Sequence, residues 1–439
     1  MTGANQSRRR VLQGGAAAAL SATTTAAGAG GAAATALPAD VLELHINDGY
    51  VPMVDGSLVY MRGFGDRASA RSDPAPGLTC APRAFLADGR LVDGRAHPFG
   101  APVPPGGRPA PSRPDPAQAG TYLVRQRYWA SIYPRRTIIA EQGATVRLRI
   151  HNNLAEPHRF AVAGMPGAAV TVQPKQVVDL SFPVDVPGTY VYSDPMRAPV
   201  ERVLGLYGVL LVVPAGDAWR AGGPGSVPFE RQWVWMVHDI DPVWAQLASQ
   251  GRRIDPQARP SVPRYFTLND RSGFQSLAVS RDAARNESAH HDTLPSGWPR
   301  RTDVRDPESP GRVGQVVRMV NTGIAVHQMH FHGNHVWTYR RENRDLSRDH
   351  AVVDDKGHVL LQQWEDVVEL DPLQRADIVL PLKPPPDVVP AVWAARRQDW
   401  TYPMHCHAEM SQSAGGGVYP GGLVADWVLA GGTPPTGGS

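Results

Sequence analysis

The chain has 439 residues, with 44 Lys+Arg against 41 Asp+Glu, 44 Gly, 42 Pro and two cysteines. That length builds two or three domains, a Gly and Pro content of about a fifth suits short strands and turns over long helices, and two cysteines exclude a disulfide framework or a Cys-rich zinc module. Arg8, Arg9 and Arg10 are the only charged residues in 1–36, and the 44 basic residues less these three equal the 41 acidic ones, so the body is neutral and lacks the basic face of a nucleic-acid binder.

Those three arginines precede a weakly apolar Ala/Thr/Gly stretch, and Ala34-Thr35-Ala36 offers a small-residue cleavage site. The pattern resembles the bacterial Tat signal, which exports folded proteins. Residues 1–36 are therefore expected to be a signal peptide, and the mature protein periplasmic or extracellular. No later segment approaches the 18 or so consecutive apolar residues of a membrane span. Residues 37–118, dense in Pro, Gly and Arg, read as an N-terminal extension.

Strand-like runs then arrive at short intervals, first in 119–216 and again in 228–432. The two series are alike. Ala144-Thr145-Val146-Arg147-Leu148-Arg149-Ile150, followed by Asn152, parallels Gln315-Val316-Val317-Arg318-Met319-Val320-Asn321, and Thr189-Tyr190 parallels Thr401-Tyr402. This repetition predicts an all-β chain of two duplicated Greek-key β-sandwiches.

Six of the fifteen histidines fall in two short stretches of the second series, His327-Gln328-Met329-His330-Phe331-His332-Gly333-Asn334-His335 and His405-Cys406-His407. In a strand, residues two apart share a face. His330 with His332, and His405 with His407, can then reach a common metal, while Cys406 points the other way. One strand thus addresses two sites. Imidazoles with a single thiolate favour copper, with zinc as the alternative.

With these motifs the sequence resembles the multicopper oxidases, whose third and fourth copper loops read H-P-x-H-L-H-G-H and H-C-H-x-x-x-H-x-x-x-x-M. The likeness covers about 121–430 and includes Gly188-Thr189-Tyr190, Gly205-Leu206-Tyr207-Gly208 and the runs YFTLNDRSG and WEDVVELDPLQRADIVL. It implies two cupredoxin-like domains, copper as cofactor, a small-molecule or metal-ion electron donor and, as in two-domain relatives, a homotrimer. It also implies type 1 copper ligands at His327 and Cys406, and positions facing the oxygen-reducing cluster at His330, His332, His405 and His407.

The departures are as informative. The first domain shows Ala161-Val162-Ala163-Gly164 and Ser193-Asp194-Pro195 where the family has H-W-H-G and H-S-H, so it offers no copper ligands there. His158 is read as an exposed turn residue. No histidine follows His407; Ser411 stands in the missing imidazole's place, and Met410 is either a thioether ligand or a core methionine. His335 is a candidate to hydrogen-bond a ligand, and His238, Asp239 and Asp241 are candidate acids or bases that equally suit a turn. Trp337, Trp393 and Trp400 line either a donor pocket or the core. Cys80 has no assigned role, and no catalytic residue is assigned. The expected function is an exported copper-dependent oxidoreductase that oxidises an external donor one electron at a time through the Cys-containing site; the alternative is a copper-binding or copper-delivery protein without turnover.

Overall fold

The computed structural model describes residues 41–55, 57–65, 137–216, 229, 231–273, 276, 291–292, 315–333, 335–341, 344–345, 363–380, 400–415, 417 and 420–429. The proposed signal peptide, Cys80 and Trp393 lie outside them. Among the described residues no helix is long and apolar enough to cross a membrane.

The first half contains β1 (Val41–Pro52), β2 (Leu58–Gly65), β3 (Thr137–Glu141), β4 (Ala144–Asn152), β5 (His158–Val162), β6 (Ala169–Val172), β7 (Val177–Val184), β8 (Gly188–Ser193), the short helix α1 (Val200–Val203) and β9 (Tyr207–Val213). They form two sheets, ordered β2-β1-β4-β7 and β3-β9-β8-β5-β6. Side chains alternate as the pleat requires: Leu44, Ile46, Leu148, Ile150 and Phe182 from one sheet meet Phe160, Val162, Tyr192, Leu210 and Val212 from the other in one core.

The second half contains β10 (Arg231–Ile240), α2 (Pro242–Ser249), β11 (Tyr265–Leu268), β12 (His291–Asp292), β13 (Gln315–Asn321), β14 (His327–Phe331), β15 (Val336–Arg341), β16 (Arg344–Asp345), β17 (Gln363–Glu365), β18 (Val367–Leu370), β19 (Arg375–Leu380), β20 (Trp400–Cys406) and β21 (Val424–Leu429). One sheet runs β11-β10-β13-β19-β15-β16, with β12 on β10 and β17 on β15; the other runs β18-β14-β20-β21. The core between them includes Trp235, Val317, Met319, Met329, Phe331, Ile378, Met404 and Cys406.

The duplication holds in detail. β1 pairs parallel with β4, which pairs antiparallel with β7; β10, β13 and β19 repeat that pattern. Asn152 donates to the carbonyls of Glu156 and Val172 and accepts from Leu154 N. Asn321 likewise donates to Ala325 and Leu370 and accepts from Gly323 N.

The reading of 37–118 as an extension is corrected for 41–65. β1 and β2 correspond to β10 and β11 and complete the first sandwich. The cause is local: Leu42, Leu44 and Ile46 alternate with Glu43, His45 and Asn47, a strand period that the Pro/Gly-rich average of the longer segment conceals.

The two sandwiches meet through Val191, Tyr207 and Val209 on one side and Val234, Met236 and Val320 on the other. Tyr207 donates to Asp270 at 2.7 Å and Arg202 to the Thr322 carbonyl at 2.7 Å across this contact. His238 is part of it, with Nε2 3.3 Å from the Val203 carbonyl and Nδ1 3.2 Å from the Thr322 hydroxyl. Asp241 caps α2, accepting from Val243 N at 2.8 Å and Trp244 N at 3.1 Å, with Pro242 in the first turn where its missing N–H costs nothing. These two residues therefore serve the fold.

Candidate metal centre

β14 and β20 lie side by side with His330 opposite His405 and Met329 opposite Cys406. On β14 and the residue after it, His327, Met329 and Phe331 are buried and Gln328, His330 and His332 face outward; on β20 and the residue after it, Tyr402, Met404 and Cys406 are buried and Pro403, His405 and His407 face outward. The hydrogen bonds His332 N to Pro403 O (3.0 Å) and His407 N to Gln328 O (2.8 Å) extend this register past the strand ends.

On the outer face four imidazoles converge. His332 Nε2 and His405 Nε2 are 2.9 Å apart, and His407 Nε2 and His330 Nδ1 are 2.8 Å apart. The rings of His330 and His332 are 4.4 Å apart between centroids, as are those of His330 and His407. His330, His332 and His405 can each offer a ligand atom to one ion. Burial, and then the neighbouring imidazoles, push the His330 and His332 pKa values down, which favours the neutral form a metal requires. Asp366 lies 3.7 Å from His330 Nε2.

Gly333 closes the turn after His332 with φ +78°, and a β-carbon there would sit 2.3 Å from Cδ1 of Tyr402. Gly333→Ala is expected to cost about 1–3 kcal/mol through this backbone strain alone. Urea unfolding of the variant checks the loss, and displacement of His332 should accompany it as weaker metal retention.

On the inner face, His327 Nδ1 lies 3.5 Å from Cys406 Sγ and its Nε2 2.5 Å from Asp239 Oδ1. All three side chains are fully buried. Asp239 is held in turn by the amides of Ile324 and Ala325 at 2.6 and 2.7 Å. Burial would depress the His327 pKa, but its hydrogen bonds to Asp239 and Cys406 outweigh that and raise it to about 9. Burial likewise opposes ionisation of Cys406, yet His327, Ser411 and the Gln328 amide at 3.2 Å bring its pKa below the ordinary thiol value. The arrangement favours ionisation of the sulfur beside a protonated imidazole whose far side rests on a carboxylate.

The 3-10 helix Glu409–Gln412 follows β20 and turns the Met410 side chain to the surface, 50% exposed. Ser411 is fully buried beside the sulfur, its hydroxyl proton directed to the Ala408 carbonyl at 2.7 Å. His335 stacks on Trp364, with centroids 5.5 Å apart, and Trp337 also packs on Trp364.

The first sandwich contains the counterpart of this site. Ala161 pairs with Ser193 as His330 pairs with His405, and Gly164 adopts φ +81° where Gly333 adopts +78°. By that register His158 takes the place of His327 and Asp194 the place of Cys406. His158 Nδ1 accordingly faces Asp194 Oδ2 at 2.7 Å and Glu201 Oε2 at 3.7 Å. Arg62 binds Glu201 at 2.9 Å, and Arg197 pairs with both Glu156 and Glu201. The expectation of an exposed His158 is thus corrected: it is fully buried, because a buried carboxylate compensates its desolvation. The signal was present in the numbering, since 169 residues separate Asn152 from Asn321 and His158 from His327.

No protein-family model and no curated protein matches the chain. Among solved structures, the blue copper oxidase from Nitrosomonas europaea is 16% identical with a TM-score of 0.50, the match covering 88% of this chain and 84% of that one. The multicopper oxidase mgLAC, 16% identical, gives 0.49 over 90% and 87% of the two chains. The copper nitrite reductase from Nitrosomonas europaea, 12% identical, gives 0.46 over 88% and 92%. The chain is an all-β protein of two cupredoxin-like Greek-key sandwiches, the fold it shares with the blue copper oxidase.

Proposed function

We propose that this protein is a copper-dependent oxidoreductase, exported by the Tat route, whose redox centre lies on the second sandwich. The observation that carries the reading is the convergence of His330, His332, His405 and His407 from two adjacent strands. The donor set fits copper: two nitrogens each about 2.0 Å from one ion and at right angles to each other stand about 2.8 Å apart, close to the 2.8 and 2.9 Å of the two imidazole pairs. Four imidazoles would hold that ion, and His327 with Cys406 would hold a second, with Met410, four residues after Cys406, as the candidate thioether. Copper supplies one-electron chemistry, cycling between two oxidation states.

The chain's own residues set the conditions for it. Asp239 fixes His327 so that Nδ1, the ligand atom, faces the sulfur. His327 and the Gln328 amide, 3.2 Å from the sulfur, favour ionisation of Cys406. Cys406 is bonded through the backbone to His405 and His407, a short covalent path between the buried and exposed donors. The exposed side chains of His332 and His407 leave that face open to a small-molecule or metal-ion donor, or to another copy of the chain in a homotrimer.

A second reading, a copper-binding or copper-delivery protein without turnover, is favoured by the buried Ser411 in the missing imidazole's place and by the outward Met410. One experiment separates the two. The full chain is loaded with copper, and metal content, the visible thiolate-to-copper charge-transfer band and oxygen uptake with a phenol donor are measured. Two coppers, the band and turnover support the oxidoreductase. One copper with neither band nor turnover supports the second reading, and no retained copper removes both.

A further inference from the structure

A second constellation of ligand groups lies on the first sandwich, on the outward face of the ladder between β1 and β4. Glu43 and His45 are two apart on β1 and share a face. His45 and His151 are register partners across the parallel ladder, and Glu43 is the partner of Arg149, two residues before His151. Their neighbours Leu44, Ile46, Leu148 and Ile150 point into the core, so the pleat fixes the three side chains on the opposite face of the sheet, where His45 is buried and Glu43 and His151 are partly exposed. The carboxylate spans both rings: Glu43 Oε1 is 3.4 Å from His151 Nε2, and Oε2 is 3.8 Å from His45 Nε2. The rings are stacked, 4.1 Å between centroids. His151 Nε2 is buried without a hydrogen bond.

From this geometry we infer a binding site for one zinc(II) ion, held by Glu43, His45 and His151. Two imidazoles and one carboxylate form an established zinc donor set, completed by a water in the fourth position. Donors about 2.0–2.1 Å from a tetrahedral ion stand roughly 3.3–3.4 Å apart, nearer to the carboxylate–imidazole separations here than the shorter spacing of the four-imidazole cluster. A small rotation of the stacked rings brings both Nε2 atoms onto the ion. The adjacent Arg149 is held by Asp179 through two hydrogen bonds of 2.7 and 2.9 Å. Bound there, the ion would staple the amino-terminal strand β1 to β4.

The test uses the full chain carrying His332→Ala and His405→Ala, which removes the four-imidazole cluster as a zinc site. Equilibrium dialysis against zinc chloride should show one ion whose retention depends on Glu43 and His151, besides any held at Cys406. Adding Glu43→Gln, or separately His151→Gln, should lower that affinity at least tenfold with an unchanged far-ultraviolet circular dichroism spectrum, since both side chains are partly exposed and lie outside the core. Cobalt(II) in place of zinc should give the intense visible bands of a four-coordinate ion, lost in the same variants. No zinc retained by the double-alanine protein, or retention that Glu43→Gln and His151→Gln leave unchanged, would overturn the assignment.

Discussion

The double variant His332→Ala/His405→Ala should lose copper retention by more than about a hundredfold, since removing even an outer partner of a ligating histidine typically costs about 10–100-fold and this change removes two ligands outright. The pair is chosen because their Nε2 atoms are 2.9 Å apart, one from each strand, so neither β14 nor β20 alone retains its two donors. Competition against a chelator of known affinity measures the loss. Both side chains face outward, and the core between the sheets is built from the alternate residues, so folding should survive. Retention within a few fold of the parent would show that copper does not use this cluster.

The largest loss of stability is expected in the other sandwich. Asp194→Asn removes the charge facing His158, where both side chains are fully buried, and breaking such a pair typically costs about 3–5 kcal/mol. The magnitude follows from what is left behind: an imidazole with no charge partner at Nδ1 except Glu201, already engaged by Arg62 and Arg197. The double change His158→Leu/Asp194→Leu removes both partners and should cost less than the single one. Chemical denaturation of His158→Leu, Asp194→Leu and the double variant gives the coupling. A single variant within about 1 kcal/mol of the parent would mean that the network does not hold this domain together.

The fold was legible where apolar residues alternate without interruption, as in Ala144–Asn152 and Val177–Val184, and the duplication where the repeats keep an asparagine at the end of the same strand. It was not legible at β1 and β2, because composition averages over a long window whereas a strand needs only the alternation of a few residues. The outer histidines could be placed together from their spacing alone, since a two-residue period fixes the face. The inner site could not. That Asp239 meets His327 depends on the register between β10 and β13 and on the turn that follows β13, and no local pattern reveals such a contact. His158 was misread for the same reason, its partner Asp194 being 36 residues away.

The alternation along β20 also makes the strand a partition between solvent and core. Cys406 is fully buried while His407, the next residue, is exposed. Aqueous alkylating reagents should therefore modify the histidines of the native protein and spare the thiolate next to them in the chain, despite its readiness to ionise. Labelling of Cys406 would then report unfolding of the second sandwich and serve as a clock for its opening.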